Sequence, residues 1–552
     1  MPVYKKQLVL SKYQKPDPAT IERIIFYLLI AVNLIPVLAY HYFPTVDGPA
    51  HLYNSRQFIE LLNHHDSPLK YSFTINTAVN PNWSGHFILA VFLSFLPAFM
   101  AEKMVLLIYL IGLPLSFRYF IGSLNKKNYY LSYLIFPFTY SFLFYFGFYN
   151  FNIGLVFLFI GIPLWKRYYN DYNLSHAVKL MLVIAAICLS HLFVFGIFLL
   201  AVFFIHLKDY LNFFAKNLSG KKYALRNYFF QFVILFPSLF ILVYYFVTQQ
   251  AEPAKPEFSE WAFLWHNISE VSPAKGMNYG PAGEFTRMLR WVILLPFFYM
   301  FVDLIITGHK EKWKFRYNGL LVITFVCFAL IFILPDARGA AIGFVSARLN
   351  VFLFLFFIAF LASFTYPSWY KYLVAGLAVS ISVSLLKINY DEAAPIVATA
   401  NDVSAASDLI GPYSAVLPVI FSNDHLTGHI ANYLGADKPM VLLENYEATM
   451  NHFPLKWNYS YIPIYELGDM RYPTECFGIV GSYVKNKKNP DYVLLIKDPG
   501  YSDKIECQQA VNQALKKDYK LLFKGADKKV SLYGLSENSG LKELKRLEPK
   551  EF

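Results

Sequence analysis

A carboxylate and an imidazole stand four residues apart in the stretch FPTVDGPAHLYNSRQ, at 43–57. On an α-helix two residues at this spacing lie on the same face, so Asp47 and His51 could act together. A carboxylate in this position could take a proton from a hydroxyl group, and an imidazole nearby would tune its basicity. The alternative is that Asp47 or Gly48 only caps a surface helix whose first turn contains Pro49. The local sequence leaves both interpretations open.

Further histidines could take part in the same chemistry. His86 lies at the start of the apolar segment 84–100, the second along the chain. It could face Asp47, or it could be a capping or interfacial histidine. The stretch HLTGH spaces His425 and His429 as in zinc sites, but Leu426 stands where the HExxH motif has its glutamate. We therefore interpret these two histidines as part of a surface face and assign no metal site.

Three arginines are candidates for binding a phosphate. The loop PDARGAAIGFVSARLN, at 335–350, places Arg338 and Arg348 beside long apolar runs. If these runs cross a bilayer, an arginine close to it is costly and often functional. A guanidinium fits a phosphate and stabilises the charge that develops when it leaves. Arg348 is the main candidate, followed by Arg338 and then by Arg287 at the start of another apolar segment. The alternative is that these side chains reach out to lipid headgroups or anchor the ends of helices.

The composition shows which class of protein must position these residues. Hydrophobic types make up 56% of the 552 residues and charged types 16%, whereas soluble proteins have about 25% charged residues. The net charge of +12 comes from lysines and arginines clustered between apolar runs. That pattern is typical of membrane topology, so we expect no nucleic-acid partner.

Apolar runs of about 20 residues predict a polytopic α-helical membrane protein with about eleven spans. The predicted spans are 21–42, 84–100, 103–121, 129–146, 148–165, 177–206, 229–248, 288–308, 317–335, 349–367 and 371–388. The segment 177–206 is either one tilted helix or two short ones. Charge bias predicts a cytoplasmic N-terminus, a first outer loop at 43–83 and an extracytoplasmic C-terminal part. Charged pairs leave the topology of 84–176 open.

The composition becomes polar after about residue 389. Short β-like runs at 415–421, 439–443, 477–482, 492–496 and 529–535 alternate with helix-like stretches around 424–434 and 503–516. This alternation predicts a transmembrane domain at 1–388 and an extracytoplasmic α/β domain at 389–552. The segment LENYEATMNHFPLKWN, at 443–458, could bind a carbohydrate or dock on the membrane domain. Cys476 and Cys507 could pair in an oxidising compartment.

The first part of the chain resembles the GT-C fold glycosyltransferases. The resemblance rests on an acidic residue directly after the first span, on the VDGPAHLYNSRQF stretch that leads into a surface helix, and on about eleven spans with an outer C-terminal domain. It covers roughly 1–388, and the DGPAH form is similar to bacterial members of this group. Only Asp47 can be carried over from the superfamily as an active-site carboxylate.

The resemblance implies an enzyme of the bacterial inner membrane that builds the cell envelope. Such a hexosyl- or pentosyltransferase moves a sugar from a polyprenyl-phosphate donor to a glycan, lipid or protein acceptor at the outer membrane face. Asp47 would act as the base, tuned by His51 or His86, and the arginines would hold the donor phosphate. The first loop lacks a second acidic residue beside Asp47, so no cofactor is assigned and dependence on a divalent metal stays open.

Two other classes of protein remain as alternatives. A transporter or flippase for lipid-linked or polar solutes would place ionisable residues near the bilayer midplane and show inverted repeats. Here the charges cluster at the outer rim, and the sequence shows no repeat. A non-catalytic envelope assembly protein would keep the fold and use the outer domain as its working part. The enzyme interpretation requires Asp47 and Arg348 to face one cavity.

Overall fold

The structure is a computed structural model of the chain, and it describes most of the 552 residues. The described residues are 17–78, 80–213, 218–248, 254–277, 280–307, 318–339, 343–460, 490–502 and 505–536. The α-helices are α1 (Pro18–Asn33), α2 (Ile35–Ala39), α3 (Gly48–Asn63), α4 (Ser84–Leu93), α5 (Ala98–Leu124), α6 (Phe142–Tyr145), α7 (Tyr149–Tyr168), α8 (Leu174–Ser190), α9 (Leu192–Leu211), α10 (Leu218–Thr248), α11 (Trp261–Ser269), α12 (Ala282–Thr307), α13 (Gly319–Ile333), α14 (Val345–Leu361), α15 (Ser368–Ser407) and α16 (Ile505–Asp518). The strands are β1 (Phe73–Ile75), β2 (Pro256–Glu257), β3 (Ala337–Arg338), β4 (Ala415–Phe421), β5 (Val441–Leu442), β6 (Leu455–Trp457), β7 (Tyr492–Lys497), β8 (Tyr519–Lys524) and β9 (Val530–Leu535).

The helices confirm the expected class of polytopic membrane protein. Among the described residues six helical segments are long and apolar enough to cross a bilayer, and five shorter apolar helices accompany them. The long predicted segment 177–206 forms two helices, α8 and α9, which meet at His191. His191 has extended backbone angles (φ −162°, ψ 120°), and these end α8.

The expected span at 129–146 is wrong as a single α-helix. Residues 126–138 form a 3₁₀ helix, and only the four-residue α6 follows. Asn128 leaves the helical conformation and donates from Nδ2 to the Ala362 carbonyl at 2.8 Å, which ties this segment to the end of α14. Pro137 also lacks the N–H that an α-helix would need there.

A five-stranded sheet carries the C-terminal part, in the order β5-β4-β7-β9-β8. β4 runs parallel to β5 and β7, and β9 is antiparallel to β7 and β8. Alternate residues of β4 belong to two different apolar clusters, so both faces of the sheet are covered. The strand expected at 477–482 and Cys476 lie outside the described residues. α15 runs unbroken across the expected domain boundary at 388.

α3 is not an exposed surface helix, because most of it is buried within the protein. Its residues from Gly48 to Ser55 are buried, and its polar side packs against the C-terminal part. Tyr53 accepts from the Leu442 amide at 3.1 Å, and Gln57 donates to the Gly435 carbonyl at 3.0 Å. The local sequence did not predict this burial, because the polar side chains of α3 contact polar groups of residues far away in sequence.

Candidate active site

The backbone that carries Asp47 rests on the loop after α6. The Val46 amide donates to the Tyr145 carbonyl at 2.8 Å, and the Asp47 amide donates to the Phe146 carbonyl at 3.1 Å. Gly147 has φ +84°, and a Cβ built on it would lie 2.8 Å from the Asp47 nitrogen. Only glycine combines this backbone angle with so close an approach, so Gly147 fixes where Asp47 lies.

Thr45, and not Asp47, supplies a side-chain acceptor at the start of α3. Thr45 Oγ1 accepts from the Gly48 amide at 3.1 Å and lies 3.2 Å from the Tyr149 hydroxyl. In the described part of the chain the Asp47 side chain makes no capping hydrogen bond to α3. The Asp47 carboxylate, 14% exposed, instead has its Oδ1 3.7 Å from Nε2 of His429. Asp47 therefore has a position that helix capping does not explain.

His429 is a buried residue of the site that the sequence analysis had placed on the surface. Its side chain is 2% exposed, and its ring stacks on Tyr446 with centroids 4.4 Å apart. The surface interpretation is wrong because 424–434 is not one helix. His425–Thr427 and Ile430–Gly435 form two separate 3₁₀ turns, and His429 lies between them, facing inward.

His51 and His86 both contact the carboxylate of Glu447. Nδ1 of His51 lies 2.5 Å from Oε1, and Nε2 of His86 lies 2.9 Å from Oε2. Nε2 of His51 donates to the Gly147 carbonyl at 3.1 Å, since a carbonyl oxygen only accepts. Both histidines are thus oriented by Glu447, and neither ring bonds directly to Asp47.

Opposite charges stabilise the contact between His51 and Glu447. Burial alone would raise the pKa of Glu447, but the charge and hydrogen bonds of the two imidazoles lower it to about 2. Burial alone would lower the pKa of His51, but Glu447 raises it above its ordinary value. Glu447 is therefore a carboxylate near neutral pH, and its charge favours the protonated form of His51. Burial lowers the pKa of the neighbouring His452 to about 4, so that ring is neutral.

The predicted arginines occupy three different surroundings. Arg348, in the first turn of α14, has its guanidinium 4.9 Å from the centroid of the Phe148 ring. Arg338 is exposed on β3 and donates from Nε to the Ala254 carbonyl at 3.2 Å. Arg287 is 49% exposed and forms an ion pair with Glu270 at 3.3 Å. Arg348 alone of the three borders the loop that supports Asp47, through Phe148.

Sequence analysis also missed two buried carboxylates. Glu447 lies in the stretch 443–458, and its contacts with His51 of α3 and His86 of α4 show that this stretch packs against the first part of the chain. Glu102 lies in α5 and accepts from Tyr433 at 2.9 Å and from Tyr149 at 3.4 Å. A lone carboxylate within an apolar segment is itself a signal of function, and it could have pointed to Glu102.

The fold is similar to that of ArnT from Cupriavidus metallidurans. A crystal structure of ArnT bound to undecaprenyl phosphate matches with a TM-score of 0.53 and 10% sequence identity, over 94% of this chain and 99% of that chain. The apo-state structure gives a TM-score of 0.48, with 10% identity over 94% and 98% of the two chains. No protein-family model and no curated protein matches the sequence. The first likeness confirms the GT-C fold that the sequence analysis expected.

Proposed function

We propose that this chain is a membrane glycosyltransferase that uses a polyprenyl-phosphate-linked sugar. Its ArnT-like fold is the premise, because the related structure was solved with undecaprenyl phosphate bound. The reaction would take place at the outer face of the membrane, with the N-terminus cytoplasmic and the sheet domain outside. The acceptor is a hydroxyl-bearing molecule that approaches from the aqueous side.

The position of Asp47 carries the proposal. Its carboxylate is partly exposed and lies 3.7 Å from His429, and its backbone is held by Tyr145 and Phe146. Gly147 permits that close approach. A carboxylate fixed by its backbone and reachable from outside has the properties of a general base.

In the proposed reaction Asp47 takes the proton of the acceptor hydroxyl as that oxygen attacks the anomeric carbon. The new carbon–oxygen bond forms while the bond from the anomeric carbon to the phosphate oxygen breaks. The polyprenyl phosphate leaves with the electron pair, and direct displacement inverts the anomeric carbon. His429, 3.7 Å from Asp47, is a positioning residue for the carboxylate.

Arg348 is the best candidate for holding the donor phosphate. Its Nε is buried and has no hydrogen-bond partner among the described residues, so it can donate to a phosphate oxygen. Phe148, which its guanidinium covers, directly follows Gly147. Arg348 and Asp47 thus border the same short stretch of backbone. Arg338 and Arg287 already contact Ala254 and Glu270 and are secondary candidates.

A turnover assay on the purified protein in nanodiscs tests the proposal. A panel of polyprenyl-phosphate sugars is offered with candidate acceptors, and release of the carrier phosphate is followed. We expect Asp47→Asn to lower the rate by about 10²–10⁴-fold, because a general base contributes on that order. Asp66→Asn is the matched control, because Asp66 lies in the same outer loop and its side chain is fully exposed.

Comparing the two variants distinguishes the loss of a general base from the loss of any negative charge in this loop. Equal rates for wild type and Asp47→Asn would contradict the role of Asp47. If the wild type binds donors without releasing carrier phosphate from any of them, the glycosyltransferase proposal fails. A transport assay on lipid-linked sugars would then test the transporter alternative.

A further inference from the structure

Three ionisable side chains from distant parts of the sequence lie close to one another in the fold. His51 comes from α3, His86 from α4 and Glu447 from a short turn before β6. One ligand atom from each lies within 4.8 Å of the others, and the three side chains are 5%, 4% and 0% exposed. We propose that they form a divalent-cation site, suited to Zn²⁺, that joins α3 to the sheet domain.

The donor set favours zinc over harder cations. Two imidazoles and one carboxylate are the protein ligands of many zinc sites, whereas Mg²⁺ and Ca²⁺ prefer oxygen ligands alone. Two ligand atoms of one tetrahedral zinc lie about 3.3 Å apart when each bond is about 2.05 Å long. The contacts of Glu447 with His51 and His86 are 2.5 and 2.9 Å long. Side-chain movements of less than about 1 Å would therefore seat the ion.

The surroundings of His51 match those of a metal ligand. A ligating histidine commonly donates its other ring N–H to a carbonyl or carboxylate, which fixes the tautomer. Nε2 of His51 donates to the Gly147 carbonyl at 3.1 Å, so Nδ1 is the atom left for a metal once it loses its proton. Phe453 lies against both imidazoles, with ring centroids 6.1 Å from His51 and 5.5 Å from His86. This apolar wall limits access of water.

The ion would link α3 and α4 to the sheet domain. It would replace the direct contact between His51 and Glu447 with bonds to three elements, and its binding free energy would add to the free energy of folding. A three-ligand site also keeps a fourth position for water. Asp47 is not a ligand, so the inference goes beyond the proposed glycosyl transfer and does not rest on it.

Metal content, measured without any turnover, tests the inference. The full-length protein is purified without chelator, and its metals are quantified by mass spectrometry for wild type, Glu447→Gln and His86→Ala. His176→Ala is the matched control, because His176 also pairs with a carboxylate, Asp171 Oδ2, at 2.7 Å. The melting temperature is then followed while zinc is added back to chelated samples.

We expect about one zinc per chain in wild type and in the control, and zinc affinity at least about tenfold weaker in the other two variants. Zinc should raise the melting temperature of chelated wild type and leave that of Glu447→Gln unchanged. A wild type without stoichiometric metal and without a zinc-dependent shift overturns the inference, and so does full zinc content in Glu447→Gln. That variant keeps the shape of the side chain, so it decides the test if His86→Ala fails to fold.

Discussion

Gly147 decides where the reactive carboxylate lies, although it has no side chain of its own. Its φ of +84° and its close contact with the Asp47 and Gly48 amides leave no room for a Cβ. We expect Gly147→Ala to destabilise the protein by about 1–3 kcal/mol, the usual cost of such strain, and to displace Asp47. Thermal unfolding and the turnover assay would both report the change. Gly376→Ala in α15, where a Cβ meets no atom within 4 Å, should not lower stability and should leave turnover unchanged. Equal turnover in the two variants would contradict the positioning role of Gly147.

Some residues of the site can be predicted from the local sequence, and others cannot. Asp47 and His51 are four apart, so the start of a helix suffices to predict that they are close. Glu447 lies 396 residues from His51, and no periodicity connects them. His429 was misjudged because its neighbours were assumed to be helical. Contacts between distant segments depend on the whole fold, and local spacing carries no information about them.

At the scale of elements, the interface between α3 and the sheet domain depends on a pair of side-chain amides. Asn54 and Asn445 donate to each other at 3.0 and 2.8 Å, and both are buried. Replacing Asn54 by alanine should cost about 1–3 kcal/mol, because Asn445 is left without its partner. The double variant Asn54→Ala/Asn445→Ala should cost less than the sum of the single variants.

A double-mutant cycle on melting temperatures measures this coupling. Asn63→Ala, at the exposed end of the same helix, is the control and should change little. Strictly additive effects of the two single variants would mean that the amide pair does not couple α3 to the sheet domain.

In the loop between α11 and α12, the carboxylate of Glu270 contacts two cationic side chains. Glu270 Oε2 lies 3.2 Å from Nζ of the buried Lys275 and 3.3 Å from Arg287. Burial alone would raise the pKa of Glu270, but Lys275 and then Arg287 lower it below its ordinary value. Because this folded-state pKa is depressed, the stabilisation is complete above the ordinary pKa and is lost as the pH falls through the folded value.

We therefore expect Glu270→Gln to lower stability by about 1–3 kcal/mol at pH 7, since Lys275 keeps a buried charge without its partner. The difference from wild type should shrink as the pH falls below about 4.5. Thermal unfolding at several pH values measures it, with the exposed Glu284→Gln as control. A difference that grows towards acid pH would contradict the assigned ion pair.

Elements were predictable where one local property decides them. Apolar length alone located most of the membrane helices, and short apolar runs located β4, β7 and β9. The segment 126–138 failed because an apolar run does not tell an α-helix from a 3₁₀ helix. There a side-chain bond from Asn128 to Ala362, again between distant residues, changes the local conformation.

At the scale of the whole molecule, the sheet domain and the membrane helices share polar contacts as well as an apolar core. Tyr433 donates to Glu102 of α5 at 2.9 Å, and Asp437 accepts from the Ala98 amide at 2.9 Å. β6 also pairs with β1, which lies between α3 and α4. The division at 388 that the composition suggests is therefore a boundary of composition, and we expect it not to be a boundary of stability.

A fragment of residues 389–552 tests this last point. Expressed alone, it would expose the surface that now covers α3 and would start in the middle of α15. Buried groups such as the Tyr433 hydroxyl would lose their partners, at about 1–3 kcal/mol each, against a total stability of about 5–15 kcal/mol for a domain. We expect the fragment to show no cooperative thermal transition and little amide protection, while the same residues are protected in the full chain. A cooperative transition in the isolated fragment would instead show that the sheet domain folds by itself and that its contacts with α3 only orient it.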